Sequence, residues 1–94
     1  MQATMMELED LLRERREQRP AGSYTAELFD DAERIERKIM EEAFEVCLEL
    51  GRAERDEGRI VAEAADLVFH LLVGLVDAGV SFDAVVSELG RRRR

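Results

Sequence analysis

Apolar side chains recur every three or four residues along most of the chain, which is the spacing of one face of an α-helix. The first such run contains Met5, Leu8, Leu11 and Leu12 and ends before the loop "RPAGS". No stretch alternates with the period of two that is typical of a strand. The pattern therefore predicts an all-α bundle with four main helices.

The second predicted helix begins near Thr25, a residue suited to the N-cap, and ends at about Leu50 with Gly51 as its C-cap. Its apolar positions are Leu28, Ala32, Ile35, Ile39, Val46 and Leu50.

The third predicted helix runs from about Arg59 to Ala78 and is closed by Gly79. Ser81 is expected to cap a fourth helix, whose inward side chains are Phe82, Val85, Val86 and Leu89. On a helical wheel the apolar side chains of the third helix cover more than half of the circumference. Since the short helices of one chain can hardly surround it, we expect the bundle to be completed by dimerisation, as a homodimer.

The length of 94 residues suits a single domain over residues 1–94, with the arginines at 91–94 expected to form a frayed tail. A formal net charge of −8 speaks against a nucleic-acid surface. The longest apolar run, Leu67 to Val76, is half of what a membrane span needs, so no membrane partner is expected.

Cys47 is the one cysteine, which excludes a disulfide within the chain and suits a reducing, cytoplasmic compartment. We expect its side chain to serve as a small hydrophobic residue of the core. The N-terminus has neither a basic start nor an apolar segment of the kind that directs secretion.

Acidic residues lie next to the apolar positions of the second and third predicted helices. Glu42 and Glu45 are three residues apart, as are Glu63 and Asp66. This spacing stacks two carboxylates on one helix face, so two antiparallel helices could surround one ion with four carboxylates. Oxygen ligands of this kind favour Mg²⁺, with Mn²⁺ as the alternative. A charged arc can also be an ordinary solvated face.

Other polar residues near these acids have more than one interpretation each. Lys38 is the only lysine and lies one turn before Glu42, so it could bind a phosphate oxygen or form a salt bridge with Glu42. His70 could be a ligand, a hydrogen-bond partner of a ligand, a substrate contact or a core histidine with satisfied hydrogen bonds. The segment "GSYT" offers hydroxyls at a helix start, where a phosphate or a plain N-cap would use them.

Four segments carry a resemblance to a known family: "GSYTAELF", "RIERKIMEEAFEV", "EAADLVFHLLVGL" and "GVSFDAV". Together they resemble phosphoribosyl-ATP pyrophosphatase, the histidine-biosynthesis enzyme of the MazG-like all-α group. Two departures are Met40, where the family often has glycine, and the segment "GRAERDEG", where Arg52 or Arg55 would replace a lysine or asparagine.

The resemblance implies Mg²⁺-dependent hydrolysis of 1-(5-phosphoribosyl)-ATP to 1-(5-phosphoribosyl)-AMP and pyrophosphate by a dimeric enzyme. It implies metal coordination by Glu42, Glu45, Glu63 and Asp66. It also implies phosphate contacts from Ser23, Tyr24, Thr25 and Lys38, with His70 a further candidate for the substrate site.

Phosphoanhydride hydrolysis requires charge neutralisation and a positioned water, and Glu41 or Glu45 could take the proton of that water. Two other hypotheses stay open on the sequence. One is a house-cleaning nucleotide pyrophosphatase of the same group, which would use the same metal site. The other is a non-catalytic dimerisation module with solvated acids. A di-iron bundle fits poorly, because its Glu-x-x-His pairs are missing.

Overall fold

The computed structural model describes residues 2–93 and, within them, contains helices and no strand. The all-α prediction is therefore confirmed. Five helices follow one another in this part of the chain: α1 (Gln2–Gln18), α2 (Tyr24–Phe29), α3 (Ala32–Leu50), α4 (Glu57–Asp77) and α5 (Phe82–Arg91). Within the same range, no helix is both long and apolar enough to cross a bilayer.

The helix predicted from Thr25 to Leu50 is in fact two helices, so this prediction was wrong. Ser23, not Thr25, caps α2, because its hydroxyl accepts a hydrogen bond from the backbone N–H three residues on, at 3.2 Å. Asp30 ends α2 and Asp31 caps α3. Aspartate side chains compete with the helix for backbone N–H groups, so two in succession favour a break and a new start.

The remaining helix ends agree more closely with those predicted from the sequence. Gly51 caps the end of α3, and Ser81 caps the start of α5. Helix α4 starts two residues earlier than predicted, because Asp56 accepts the N-cap hydrogen bond. Gly79 has a φ of +75°, the left-handed conformation that glycine adopts readily just past a helix end.

Helices α3 and α4 are antiparallel, since the start of α3 meets the end of α4. A Cβ atom at Gly74 of α4 would lie only 3.2 Å from Cδ1 of Ile39 in α3, so the two helices approach closely there. The buried core next to this contact contains residues of four helices: Leu12, Leu28, Phe29, Ile35, Leu72, Val73 and Val76. This packing of α3 against α4 also determines which side chains of the two helices face each other outside the core.

Several side chains predicted to be internal are exposed in the single chain. Cys47 is exposed instead of buried in the core, Leu50 is 43% exposed and Leu89 is 67% exposed. Ala32, at the start of α3, is exposed as well. These positions lie at the edges of helix faces or near helix ends, where no neighbouring helix of the same chain covers them.

Two stripes of apolar side chains stay open to solvent along the long helices. We call them the apolar stripes; they comprise Met40, Phe44 and Leu48 on α3 and Val61, Val68 and Leu71 on α4. Met40 and Phe44 are 64% and 63% exposed. Large apolar residues grouped in this way mark interaction surfaces more often than scattered single ones do.

The predicted tail at residues 91–94 is shorter in the structure. Arg91 still belongs to α5, and Arg92 is its C-cap. Both guanidinium groups bond to Glu88, at 2.9 Å from Arg91 Nε and 2.7 Å from Arg92 Nε. Arg94 lies outside the described residues.

Glu9 of α1 fastens the start of α5. Its buried carboxylate accepts a 2.7 Å hydrogen bond from the backbone N–H of Phe82, the first residue of α5, and lies 3.3 Å from Arg13 Nη2. An N–H in the first turn of a helix has no partner within that helix, so this acceptor comes from another part of the chain. Arg16 of the same helix donates to the carbonyl of Val76, at 2.8 Å.

Replacing Glu9 by alanine should lower the free energy of unfolding by about 2 kcal/mol, because a partly buried N–H loses its charged acceptor. Urea denaturation measures this. Glu9→Gln keeps an acceptor and should cost about half as much. Asp10→Ala, at the exposed neighbouring position, should change stability by less than about 0.5 kcal/mol. Equal effects of Glu9→Ala and Asp10→Ala would contradict this role.

Candidate functional site

Three acidic side chains from two helices converge on one point. One carboxylate oxygen each from Glu42, Glu63 and Asp66 lies within 4.8 Å of the other two. Glu42 belongs to α3, whereas Glu63 and Asp66 are one turn apart on α4. The antiparallel packing brings them together because the middle of α3 lies beside the first half of α4. We call these three residues the carboxylate cluster.

The cluster is electrostatically crowded. Partial desolvation raises the pKa of Glu63, and the negative charges of Glu45, Asp66, Glu42 and Glu49 raise it further. Like charges so close favour a proton or a cation between them. The carboxylates of the cluster therefore repel one another, and a bound proton or cation would relieve this repulsion.

Glu45, the fourth predicted ligand, is not part of the cluster in the single chain. Glu42 and Glu49 are seven residues apart, so they lie on the same face of α3, and both are buried. Glu45 lies at the edge of that face and is exposed. Its charge still reaches Glu63, but its coordination of a metal stays a prediction.

Lys38 lies one turn before the cluster on α3. Its Nζ is 3.4 Å from a carboxylate oxygen of Glu42 and 3.6 Å from one of Glu41. Desolvation lowers the pKa of Lys38, but the hydrogen bond to Glu42 and the charges of Tyr24, Glu42 and Glu41 raise it above its ordinary value. The salt bridge predicted as one reading is thus present, and the ammonium it holds beside the cluster is fully charged at neutral pH.

His70 is buried and both ring nitrogens have partners. Nδ1 lies 2.8 Å from the backbone carbonyl of Asp66, and Nε2 lies 2.9 Å from the hydroxyl of Tyr24. A carbonyl can only accept, so Nδ1 carries the hydrogen and Nε2 of the neutral ring accepts from Tyr24. This geometry is that of a core histidine with satisfied hydrogen bonds, and a direct contact with substrate stays a prediction.

The three residues of the "SYT" segment differ in their surroundings. The Ser23 hydroxyl is used as the N-cap of α2, Thr25 is half-buried, and Tyr24 is 40% exposed. Tyr24 is therefore the residue of this segment that presents the most side chain near Lys38. Phosphate binding by all three stays a prediction.

The arginines of the connection after α3 are already engaged. Arg52 Nε donates to Glu49 at 3.0 Å, and Arg55 Nε donates to the carbonyl of Leu50 at 2.8 Å. Each guanidinium keeps further N–H groups beyond those used here, so a role of Arg52 or Arg55 in place of the expected lysine or asparagine stays a prediction.

One residue beside the site was not singled out from the sequence. The guanidinium of Arg34 lies over the ring of Tyr24, with its central carbon 5.3 Å from the ring centroid. The signal for it was its position three residues after the N-cap Asp31, where an acidic residue would stabilise the helix start better.

The donor set of the cluster fits a hard divalent cation. All three donors are carboxylate oxygens, without imidazole or thiolate, and they come from two helices that can grip one ion. Such oxygen ligands suit Mg²⁺ or Mn²⁺. The crowding that raises the pKa of Glu63 is what a bound cation would relieve.

Comparison with known proteins gives a consistent result. The family model described as phosphoribosyl-ATP pyrophosphohydrolase matches residues 5–93. A phosphoribosyl-ATP pyrophosphatase from Leptospira biflexa is 46% identical, over 94% of this chain and 95% of the relative. One from Metallosphaera sedula is 41% identical across both entire chains.

A longer relative matches over part of its length only. The histidine biosynthesis bifunctional protein HisIE of Thermotoga maritima is 42% identical over 95% of this chain, which covers 45% of that protein. No solved structure matches. The family match and the identities over nearly the whole chain agree with the resemblance carried by its motifs, and the chain belongs to the phosphoribosyl-ATP pyrophosphohydrolase family.

Proposed function

We propose that this protein hydrolyses 1-(5-phosphoribosyl)-ATP to 1-(5-phosphoribosyl)-AMP and pyrophosphate, a step of histidine biosynthesis. The observation that carries the proposal is the carboxylate cluster with the Lys38 ammonium beside it. A polyanionic substrate needs positive charge to approach a chain of net charge −8. A cation in the cluster and Lys38 would together supply it.

Mg²⁺ is the proposed cofactor, held by Glu42, Glu63 and Asp66, while Glu45, which lies outside this cluster, is assigned to proton transfer. When bound, Mg²⁺ would neutralise phosphoryl oxygens and orient the anhydride for attack. Mn²⁺ has similar ligand preferences and is expected to substitute.

The side chains of the chain itself bind the substrate and accept a proton. Lys38 would bind a phosphate oxygen, and the Ser23 and Thr25 hydroxyls would donate hydrogen bonds. Tyr24 would join them only by giving up the hydrogen bond that its hydroxyl donates to His70. The water oxygen forms a bond to the α-phosphorus, the bond from that phosphorus to the bridging oxygen breaks, and pyrophosphate leaves. Glu45 is the better placed base, since Glu41 is paired with Lys38 whereas no ion pair of Glu45 exists within residues 2–93.

The proposal includes a homodimer in the cytoplasm. The apolar stripes on α3 and α4 would meet the same stripes of a second copy, in agreement with the apolar circumference of α4. An exposed thiol at Cys47 suits a reducing compartment.

Pyrophosphate release from phosphoribosyl-ATP, with and without Mg²⁺, tests the proposal. We expect Mg²⁺-dependent release, and Glu45→Gln should lower kcat by about 100-fold or more because the base is lost. Glu41→Gln should have a smaller effect. Release from dUTP, dCTP or ATP in place of phosphoribosyl-ATP would indicate a house-cleaning pyrophosphatase. No release from any of them would contradict an enzymatic role and favour a dimerisation module.

Neutralising Glu63 should separate repulsion from metal binding. Because its pKa is raised in the folded state, the folded chain holds this proton more tightly, and stability falls as the pH rises through that pKa. Glu63→Gln should therefore raise the Tm at pH values above the pKa of Glu63 when Mg²⁺ is absent, and it should remove most of the further rise that Mg²⁺ produces in the wild type.

Glu36→Gln, which changes an exposed carboxylate of α3 outside the cluster, is the matched control and should leave the Mg²⁺ effect intact. A Glu63→Gln protein that is no more stable without Mg²⁺, yet responds to it as the wild type does, would rule out this cluster as the metal site.

Sedimentation velocity tests the dimer. Phe44→Glu places a charge in the middle of the α3 stripe and should shift the wild-type dimer to monomer at micromolar concentration, because a buried unpaired charge is costly. Met6→Glu, at a 63% exposed methionine of α1 outside the stripes, should stay dimeric. A wild-type monomer at this concentration would refute the dimer.

A further inference from the structure

Arg34 is placed against the preference of its helix. It lies in the first turn of α3, where backbone N–H groups and the helix dipole favour a negative side chain. An acidic residue at this position would also complete a capping box with Asp31. Stability of the helix start therefore does not explain an arginine here.

Arg34 also differs from its neighbours in its partners. Arg37, on the same helix, lies 4.0 Å from Glu33, and Arg52 pairs with Glu49. Among the side chains of residues 4–93, no ion pair or side-chain hydrogen bond of the Arg34 guanidinium is found. In a chain with 22 acidic residues, a half-buried arginine without a carboxylate keeps its five N–H donors available for an anion.

The ring of Tyr24 holds this guanidinium in place. The distance of 5.3 Å to the ring centroid is that of a cation–π contact. Tyr24 is itself fixed by its hydrogen bond to His70, and His70 is fixed by the backbone carbonyl of Asp66. Arg34 is thereby tied to the turn of α4 that carries a member of the carboxylate cluster.

Three charged residues of α3 lie at increasing distance from the middle of the carboxylate cluster. Arg34, Lys38 and Glu42 are four residues apart in succession, so they lie along one side of the helix about 6 Å apart. Lys38 adjoins Glu42 directly, at 3.4 Å. Arg34 starts about 12 Å along the axis from Glu42, twice as far from the cluster as Lys38, and is the outermost of the three.

We propose that Arg34 binds the phosphate of the phosphoribosyl group, the part of phosphoribosyl-ATP that ATP lacks. This inference rests on the proposed function, in which the cluster and Lys38 hold the triphosphate. The added ribose carries its phosphate at the side of the purine remote from the triphosphate. A guanidinium fork matches two oxygens of such a group. Arg34 is thus a substrate-binding residue that sets specificity, and Tyr24 and His70 position it.

Steady-state kinetics with Arg34→Gln test the assignment. The KM for phosphoribosyl-ATP should rise 10- to 100-fold, with kcat within about threefold, because the lost contact is remote from the reacting phosphorus. The inhibition constant of ATP against the same reaction should change less than threefold. Arg37→Gln, an exposed arginine of the same helix, is the matched control and should resemble the wild type.

Arg34→Lys keeps the charge but not the planar fork, and its KM should lie between those of the wild type and Arg34→Gln. If Arg34→Gln loses its helical circular-dichroism signal, Arg34→Lys is used instead to compare the KM for phosphoribosyl-ATP with the inhibition constant of ATP. An unchanged KM in both variants would overturn the assignment, as would equal weakening of ATP and phosphoribosyl-ATP, which would place Arg34 on the triphosphate. A wild type inactive on phosphoribosyl-ATP would instead overturn the proposed function itself.

Discussion

The packing of α3 against α4 holds carboxylates of two helices together against their mutual repulsion. The close contact at Gly74 and the buried Leu72, Val73 and Val76 lie at one end of this pair, and the carboxylate cluster lies farther along it. Apolar burial and tight packing at the first end stabilise the arrangement whatever the second end costs. The cluster is therefore a consequence of the core rather than an interaction that builds it.

Packing in the same core also positions Tyr24, His70 and Arg34 beside the carboxylate cluster. Helix α2 is only six residues long, yet it presents Tyr24 to His70 because Leu28 and Phe29 anchor it in the common core. The break at Asp30 and Asp31 turns the chain between the two helices. A single straight helix through this segment would separate Tyr24 from Arg34 by ten residues, about 15 Å along the axis, and the ring could not lie over the guanidinium.

Residue spacing predicted most of what is local. The helical periodicity, the caps at Gly51 and Ser81, and the stacking of Glu63 and Asp66 on one turn follow from patterns of three and four residues. The convergence of these two acids with Glu42 required the further assumption that the two long helices are antiparallel. The break before α3 was missed because its apolar pattern continues from Leu28 through Ile35, and periodicity does not register a change of direction. The position of the break depends on which aspartate side chain accepts a hydrogen bond from a backbone N–H, and here it is Asp31.

Tertiary features were harder to obtain from the sequence. Cys47 and Leu89 read as core residues, but whether an apolar position is covered depends on which neighbour lies there, and in the single chain none does. Arg34 was missed because its partner, Tyr24, belongs to another helix. Its relation to Tyr24 is a product of the turn, not of a repeat along one helix.

In the proposed enzyme, α3 and α4 together form a site for one divalent cation. Anomalous scattering from crystals grown with Mn²⁺ would locate the ion itself. We expect a peak in direct contact with carboxylate oxygens of Glu42, Glu63 and Asp66, joining the two helices. A peak bound by residues of one helix only, or no peak near these three residues at saturating Mn²⁺, would contradict it.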